Sequence, residues 1–177
     1  GVAAGLRPLP PEVTAAAVVV DNQDGSVRAY VGNGRFGDSL PWGWVDCGDA
    51  PRSPGSALKP FVYAMALDEG LLSPSSLMAD TPLALSGRAP RNFDLRYRGP
   101  VSMADALADS LNVPAVRAMR ALGADRFLHR LRNLGFSRLI GDGAHYGDSL
   151  VLGGCEVTLL EMARAYRSLA SGRAGPL

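Results

Sequence analysis

The stretch Arg52-Ser53-Pro54-Gly55-Ser56-Ala57-Leu58-Lys59-Pro60-Phe61-Val62-Tyr63 holds the only lysine among the 18 basic residues of this chain. Every other positive side chain is arginine. Arginine stays protonated in proteins, whereas lysine loses its proton when its surroundings disfavour charge. A lysine three residues after a serine therefore pairs a candidate base with a candidate nucleophile. The local pattern predicts a helix over Ser56 to Gly70. Pro60 fits its first turn, where a missing N–H costs nothing. Phe61, Ala64, Met65 and Leu67 supply an apolar face, and Gly70 supplies a stop. On such a helix Ser56 and Lys59 lie one turn apart on one face. A bare Ser-x-x-Lys is a weak motif, and a surface lysine satisfies it equally well. Its meaning depends on the rest of the chain.

Upstream, residues 1–12 are rich in Gly and Pro and read as a linker or extended leading segment. Thr14 to Val20 and Ser26 to Gly32 are valine-rich runs separated by Asp21-Asn22-Gln23-Asp24-Gly25. That is a hairpin signal, with Gly25 suited to a positive φ. Residues 33–55 read as irregular. Downstream, residues 73–100 read mainly as loop. Ser102-Met103-Ala104-Asp105 resembles a capping box and predicts a helix to about Asp109. Ser110-Leu111-Asn112-Val113-Pro114 interrupts it, because the residue before proline is biased away from helix. Pro114 then opens a helix to about Leu122, and Asp125 to Leu134 forms another, ended by Gly135. Thr158-Leu159-Leu160-Glu161 is a full capping box and starts a last helix, stopped by Gly172. A two-stranded ribbon is marginal alone, so the first hairpin calls for more strands than the chain plainly offers.

At 177 residues, with 47% hydrophobic and 20% charged side chains, the chain fits one domain or a large part of one. A net charge of +1, with Arg and acidic residues interspersed, argues against a nucleic-acid partner. No apolar run is long enough to span a bilayer. Cys47 and Cys155 are isolated, without metal spacing, and free thiols or a disulfide both fit. His129 and His145 are isolated too, and His129 reads as a surface residue. No metal site and no cofactor is implied.

Ser110-Leu111-Asn112 after Ser56-Ala57-Leu58-Lys59 is the ordered signature of serine enzymes that react with penicillin. A hydroxyl attacking a carbonyl must give up a proton, and a neutral lysine can take it. A second hydroxyl, Ser110, can pass a proton onward. The Asn112 amide can both donate to and accept from a peptide-like substrate. With these residues, the chain resembles the transpeptidase domain of a bifunctional class A penicillin-binding protein, of the one-C subtype. Residues 52–63, continued by Leu67-Asp68-Glu69-Gly70-Leu71, are similar to its nucleophile segment. Asn92-Phe93-Asp94, Gly99-Pro100-Val101-Ser102 and Ser110 to Val116 resemble its second. Leu152-Gly153-Gly154 and Thr158 to Tyr166 resemble a third.

The resemblance implies a mixed α/β (α+β) transpeptidase fold, represented mostly by its helical part plus the first hairpin, with the sheet incomplete. It implies a leading segment over 1–12 and a partial transpeptidase domain over 13–177. Ser56 is then the nucleophile, Lys59 the base, Ser110 a proton relay and Asn112 a substrate-binding amide. Peptidoglycan stem peptides and β-lactam antibiotics are the implied partners. The implied parent is also a glycosyltransferase, anchored in the inner membrane with this domain on the periplasmic side. One departure is large. The family's Lys-Thr-Gly motif is absent, since Lys59 is the sole lysine. The expectation is a C-terminally truncated fragment that is crippled or inactive alone. A β-lactamase and a non-catalytic β-lactam sensor are the alternatives. Glu156-Val157-Thr158-Leu159-Leu160 lacks the Glu-x-x-Leu-Asn pattern of class A β-lactamases.

Overall fold

The computed structural model describes residues 2–8, 10, 12–37, 40, 42–83 and 90–172. The stretches 1–12, 33–55 and 73–100 read as linker or irregular therefore lie partly outside the described residues. In chain order the elements are α1 (Val2–Gly5), β1 (Ala17–Val20), β2 (Val27–Val31), α2 (Lys59–Asp68), β3 (Leu77–Asp80) and β4 (Gly99–Ser102), followed by α3 (Met103–Ala108), α4 (Asn112–Leu122), α5 (Ala124–Asn133), α6 (Gly143–Tyr146) and α7 (Leu159–Ser171). Short 3₁₀ turns occupy Gly55–Leu58 and Gly147–Leu152. The architecture is the expected mixture, mostly helix with small antiparallel sheets. The chain forms two compact units. One comprises Gly1–Ser53, Arg132–Leu139 and Glu156–Leu177, and the other Pro54–Leu131 and Ile140–Cys155.

In the first unit the expected hairpin is present. β1 and β2 pair antiparallel from Ala17↔Val31 to Val20↔Val27, with a bulge between Val19 and Val20. Gly25 takes φ +75° at the turn, where a side chain would be strained. Asp21 Oδ1 accepts the N–H of Gln23 at 2.8 Å, a local Asx contact that shapes the same turn. α7 contacts β1. Its start is the predicted capping box: Thr158 accepts the Glu161 N–H at 3.0 Å, and Glu161 Oε2 accepts the Thr158 N–H at 2.8 Å. Its end is the predicted Gly172, at φ +64°. Within the leading segment Leu6 is buried and its carbonyl accepts Arg35 Nη2 at 2.6 Å.

In the second unit α2 packs on α4. Leu58, Phe61, Val62, Val113, Val116 and Leu122 are at most 2% exposed. Burying each such side chain stabilises the fold by roughly 1.5–3 kcal/mol. The described residues of 73–100 are mainly loop, as expected, but the stretch also carries a feature the sequence does not show: β3 and β4 pair as a second antiparallel ribbon, registered from Leu77↔Ser102 to Asp80↔Gly99. Alternation is real in β3, where Met78 and Asp80 are buried and Leu77 and Ala79 are exposed. One of its two inward positions is a carboxylate, and its partner strand holds a glycine and a proline. Those residue types are depleted in strands, so propensity argues against both.

The start of α4 also differs. It begins at Asn112, with Pro114 at its third position rather than opening it. Proline is tolerated there because the first helical N–H groups have no intrahelical partner.

Candidate active site

The break between α3 and α4 is made by Ser110, at φ +52°. The Ser110 N–H bonds to the Leu107 carbonyl at 3.0 Å, and the Leu111 N–H bonds to the Ala106 carbonyl at 2.9 Å. That pair of bonds is a Schellman motif, whose left-handed position is usually glycine. α2 ends in the same motif with glycine there, Gly70 at φ +68°, its N–H bonded to Leu67 and the Leu71 N–H to Ala66. Serine at this place costs about 1–2 kcal/mol of left-handed strain. Leu111, next in the motif, is buried at 2% exposure and anchors the turn.

Lys59 is the first residue of α2 and is 1% exposed. Its ammonium donates to the Ser110 carbonyl, to Ser110 Oγ at 3.1 Å and to Asn112 Oδ1 at 2.6 Å. Three donors thus meet three neutral acceptors. No carboxylate lies within ion-pair distance of Lys59 among the described residues. Burial, uncompensated by a counter-charge, pushes the Lys59 pKa down to about 8.

Asn112 is held from both sides. Its Nδ2 donates to the Arg91 carbonyl at 2.6 Å, and its backbone N–H donates to Asn92 Oδ1 at 2.9 Å. Asn92 Nδ2 donates to Asp80 at 3.0 and 2.8 Å and to the Arg96 carbonyl at 2.8 Å. The Arg98 N–H also reaches Asp80 Oδ2, at 2.9 Å. Asp80 is 0% exposed and Asn92 4%. The Tyr63 hydroxyl, one turn along α2 from Lys59, is buried without a hydrogen-bond partner among the described residues. Burial first, and the Asp80 charge second, push its pKa up.

Ser56 lies in the 3₁₀ turn Gly55–Leu58 that leads into α2, and it is exposed. Its carbonyl accepts the Lys59 N–H. The sequence expectation that the two side chains meet is not realised as a hydrogen bond among the described residues, because the amine is turned onto Ser110 and Asn112. The turn is braced by Gly153 (φ +87°): a Cβ there would fall 2.3 Å from Gly55 N and 2.4 Å from its Cα. The structure therefore brings Lys59, Ser110 and Asn112 into direct contact, with Ser56 presented one turn before Lys59. Nothing local in the sequence marks Asp80 or Gly153 as a site residue. Gly153 and Asn92 were visible only as parts of matching segments. Both cysteines are free thiols, and burial pushes that of Cys155 up to about 11. His129 is exposed, as read.

Residues 15–175 match the penicillin-binding protein transpeptidase domain. The chain belongs to that family. It is 46% identical over 170 residues to penicillin-binding protein 1C of Escherichia coli (strain K12), a match covering 96% of this chain and 22% of that protein. To penicillin-binding protein 1B of Vibrio cholerae it is 38% identical over 175 residues, 94% of this chain and 22% of that one. The crystal structure of penicillin-binding protein 1A from Haemophilus influenzae aligns with TM-score 0.76 at 32% identity, over 88% of this chain and 23% of that one. PonA1 from Mycobacterium tuberculosis, solved in complex with penicillin V, aligns with TM-score 0.79 at 28% identity, over 96% of this chain and 46% of that one. The family resemblance read from the ordered segments is borne out. The chain spans 22% of the length of the curated relatives named here. Among the described residues no helix is long and apolar enough to cross a membrane.

Proposed function

We propose that this transpeptidase domain is the acyl-transfer part of a D,D-transpeptidase that cross-links peptidoglycan stem peptides. The observation that supports it most is the buried Lys59 amine, held on Ser110 and Asn112 with only neutral acceptors around it. An amine with a pKa of about 8 has an appreciable neutral fraction near neutral pH, as a general base needs.

Ser56 Oγ attacks the carbonyl carbon between the two terminal D-alanines, and its proton passes to neutral Lys59. The Ser56 N–H stabilises the oxyanion; losing one such donor typically costs about 10²–10³ in rate. The tetrahedral adduct collapses by breaking the C–N bond. Ser110 hands the leaving D-alanine amine a proton drawn from Lys59. The amine of a neighbouring stem attacks the ester, the C–O bond breaks and Ser56 regains its proton. Asn112 aligns the stem amide. A β-lactam enters by the same attack, but its cleaved nitrogen stays tethered, so the ester persists. The Ser56–Lys59 contact then forms with substrate present, as catalytic hydrogen bonds commonly tighten only in the complex. The parent protein also carries a glycosyltransferase and is anchored in the inner membrane, with this domain on the periplasmic face. No Lys-Thr-Gly stretch occurs in the 177 residues, so the chain by itself acylates poorly or not at all.

Fluorescent penicillin on the full-length parent tests this reading. A long-lived covalent adduct is expected, absent in Ser56→Ala. Rapid release of hydrolysed drug would mean a β-lactamase, and no labelling would sink both.

A further inference from the structure

The Ser110–Asn112 turn carries all three acceptors of Lys59, yet its own geometry is unfavourable. Ser110 is in the left-handed region, and Leu111, the N-cap of α4, offers no side-chain cap. The first N–H of α4 is instead capped from another segment, by Asn92 Oδ1 at 2.9 Å. Asn92 can do this in only one orientation. Its other end faces three acceptors, both Asp80 oxygens and the Arg96 carbonyl, so Nδ2 must point there and Oδ1 toward α4. Asp80 is fully buried on β3, and no ammonium or guanidinium lies within ion-pair distance among the described residues. Arg98 gives it only a backbone N–H, while the guanidinium pairs with Asp94 at 3.1 Å and with Asp109 at 3.5 Å. A buried carboxylate satisfied only by amide donors is costly to keep. Here, together with the Arg96 carbonyl, it orients the Asn92 amide.

We infer that Asp80 and Asn92 are positioning residues for acyl transfer: the Asp80 carboxylate locks the Asn92 amide, and Asn92 pins the head of α4 so that Ser110 and Asn112 face Lys59. The inference rests on the proposed role of Lys59, Ser110 and Asn112, and adds the second hairpin to the machinery that aims them. It accounts for a charged residue at an inward position of β3. It also accounts for serine being held at a place where glycine would be relaxed. Neither residue touches the reacting atoms.

The test uses the full-length parent, with Asn92→Ala, Asp80→Asn and the reversed pair Asp80→Asn/Asn92→Asp. The reversed pair swaps donor and acceptor but keeps an oxygen for the Asn112 N–H. Two readouts are needed: amide hydrogen exchange in the segment 110–115, and the rate of Ser56 acylation by fluorescent penicillin across pH 6 to 10. In Asn92→Ala, exchange in that segment should speed up at least tenfold. Acylation should fall about a hundredfold, the usual cost of misplacing a catalytic group by an ångström, and its pH midpoint should move. Asp80→Asn should lose severalfold, and the reversed pair should recover at least tenfold over Asn92→Ala. The inference is overturned if Asn92→Ala leaves exchange and acylation within twofold of wild type. It is equally overturned if the reversed pair acylates no better than Asn92→Ala. Should Asn92→Ala not fold, Asp80→Asn and the reversed pair decide alone: unchanged rate and midpoint in both overturns it. If the wild type forms no adduct, the proposed function fails, while the exchange comparison still decides whether Asn92 pins the turn.

Discussion

The two hairpins of this domain treat their carboxylates in opposite ways. At the β1–β2 turn, Asp21 and Asp24 stand in solvent beside Arg28, at 3.1 and 3.0 Å. The Gln23 backbone N–H first, and the Arg28 guanidinium second, hold the Asp21 carboxyl below the usual range. Among the described residues the hydrogen bonds of these two carboxylates stay within residues 21–28. At the end of β3, Asp80 is sealed from water and spends its oxygens on Asn92 and the Arg98 N–H. From there a chain of amides runs through Asn112 to Lys59. Exposed pairs are screened and contribute little, whereas a buried polar group constrains everything it touches.

The largest expected effect lies on the Lys59 side. Lys59→Arg keeps the positive charge but removes the proposed base, because guanidinium does not deprotonate. Acylation of the full-length parent by labelled penicillin should drop about a thousandfold, within the range general-base catalysis supplies. Near-normal labelling would show that the buried network serves stability alone.

A second prediction concerns pH. Lys59 has a folded pKa of about 8 against an ordinary value of 10.5. Between those values the unfolded chain binds more protons than the folded one, so stability rises with pH there. The penalty for burying the charge is fully present below pH 8 and gone above 10.5. Relative to Lys59→Met, the wild type should gain about 3 kcal/mol across that window in urea unfolding. A difference between the two proteins that stays flat with pH would place Lys59 in a wet environment.

The smallest effects belong to the first hairpin. Gly25→Ala forces a Cβ into φ +75° and should cost about 1 kcal/mol by denaturant midpoint. Arg28→Ala should leave the midpoint unchanged within error. A large Arg28 effect would erase the contrast between the hairpins.

How much could be read beforehand follows the same division. The first hairpin was legible because valine runs flank a turn whose residues act on their own neighbours. α7 was legible because Thr158 and Glu161 cap each other three residues apart. The pairing of β3 with β4 was not, since Asp80, Gly99 and Pro100 read against strand until their partners are known. The interruption before α4 was read at the right place but for a secondary reason. Pro114 is accommodated, and the left-handed Ser110 makes the break.

The order Ser56, Lys59, Ser110, Asn112 was in the sequence, and with it the chemistry those residue types can perform. Helix caps, glycine stops and the first turn were there too, because each is decided within a few residues. Tertiary structure alone decided that Lys59 turns to Ser110 and Asn112, that no carboxylate among the described residues pairs with it, and that Asp80 and Asn92 hold the turn from afar. It also decided that Gly153 lies against Gly55, bracing the turn that carries Ser56. These are matters of burial and of contacts between segments distant in the chain. No local pattern encodes them, because the desolvation that lowers the Lys59 pKa exists only once the second unit has closed around it.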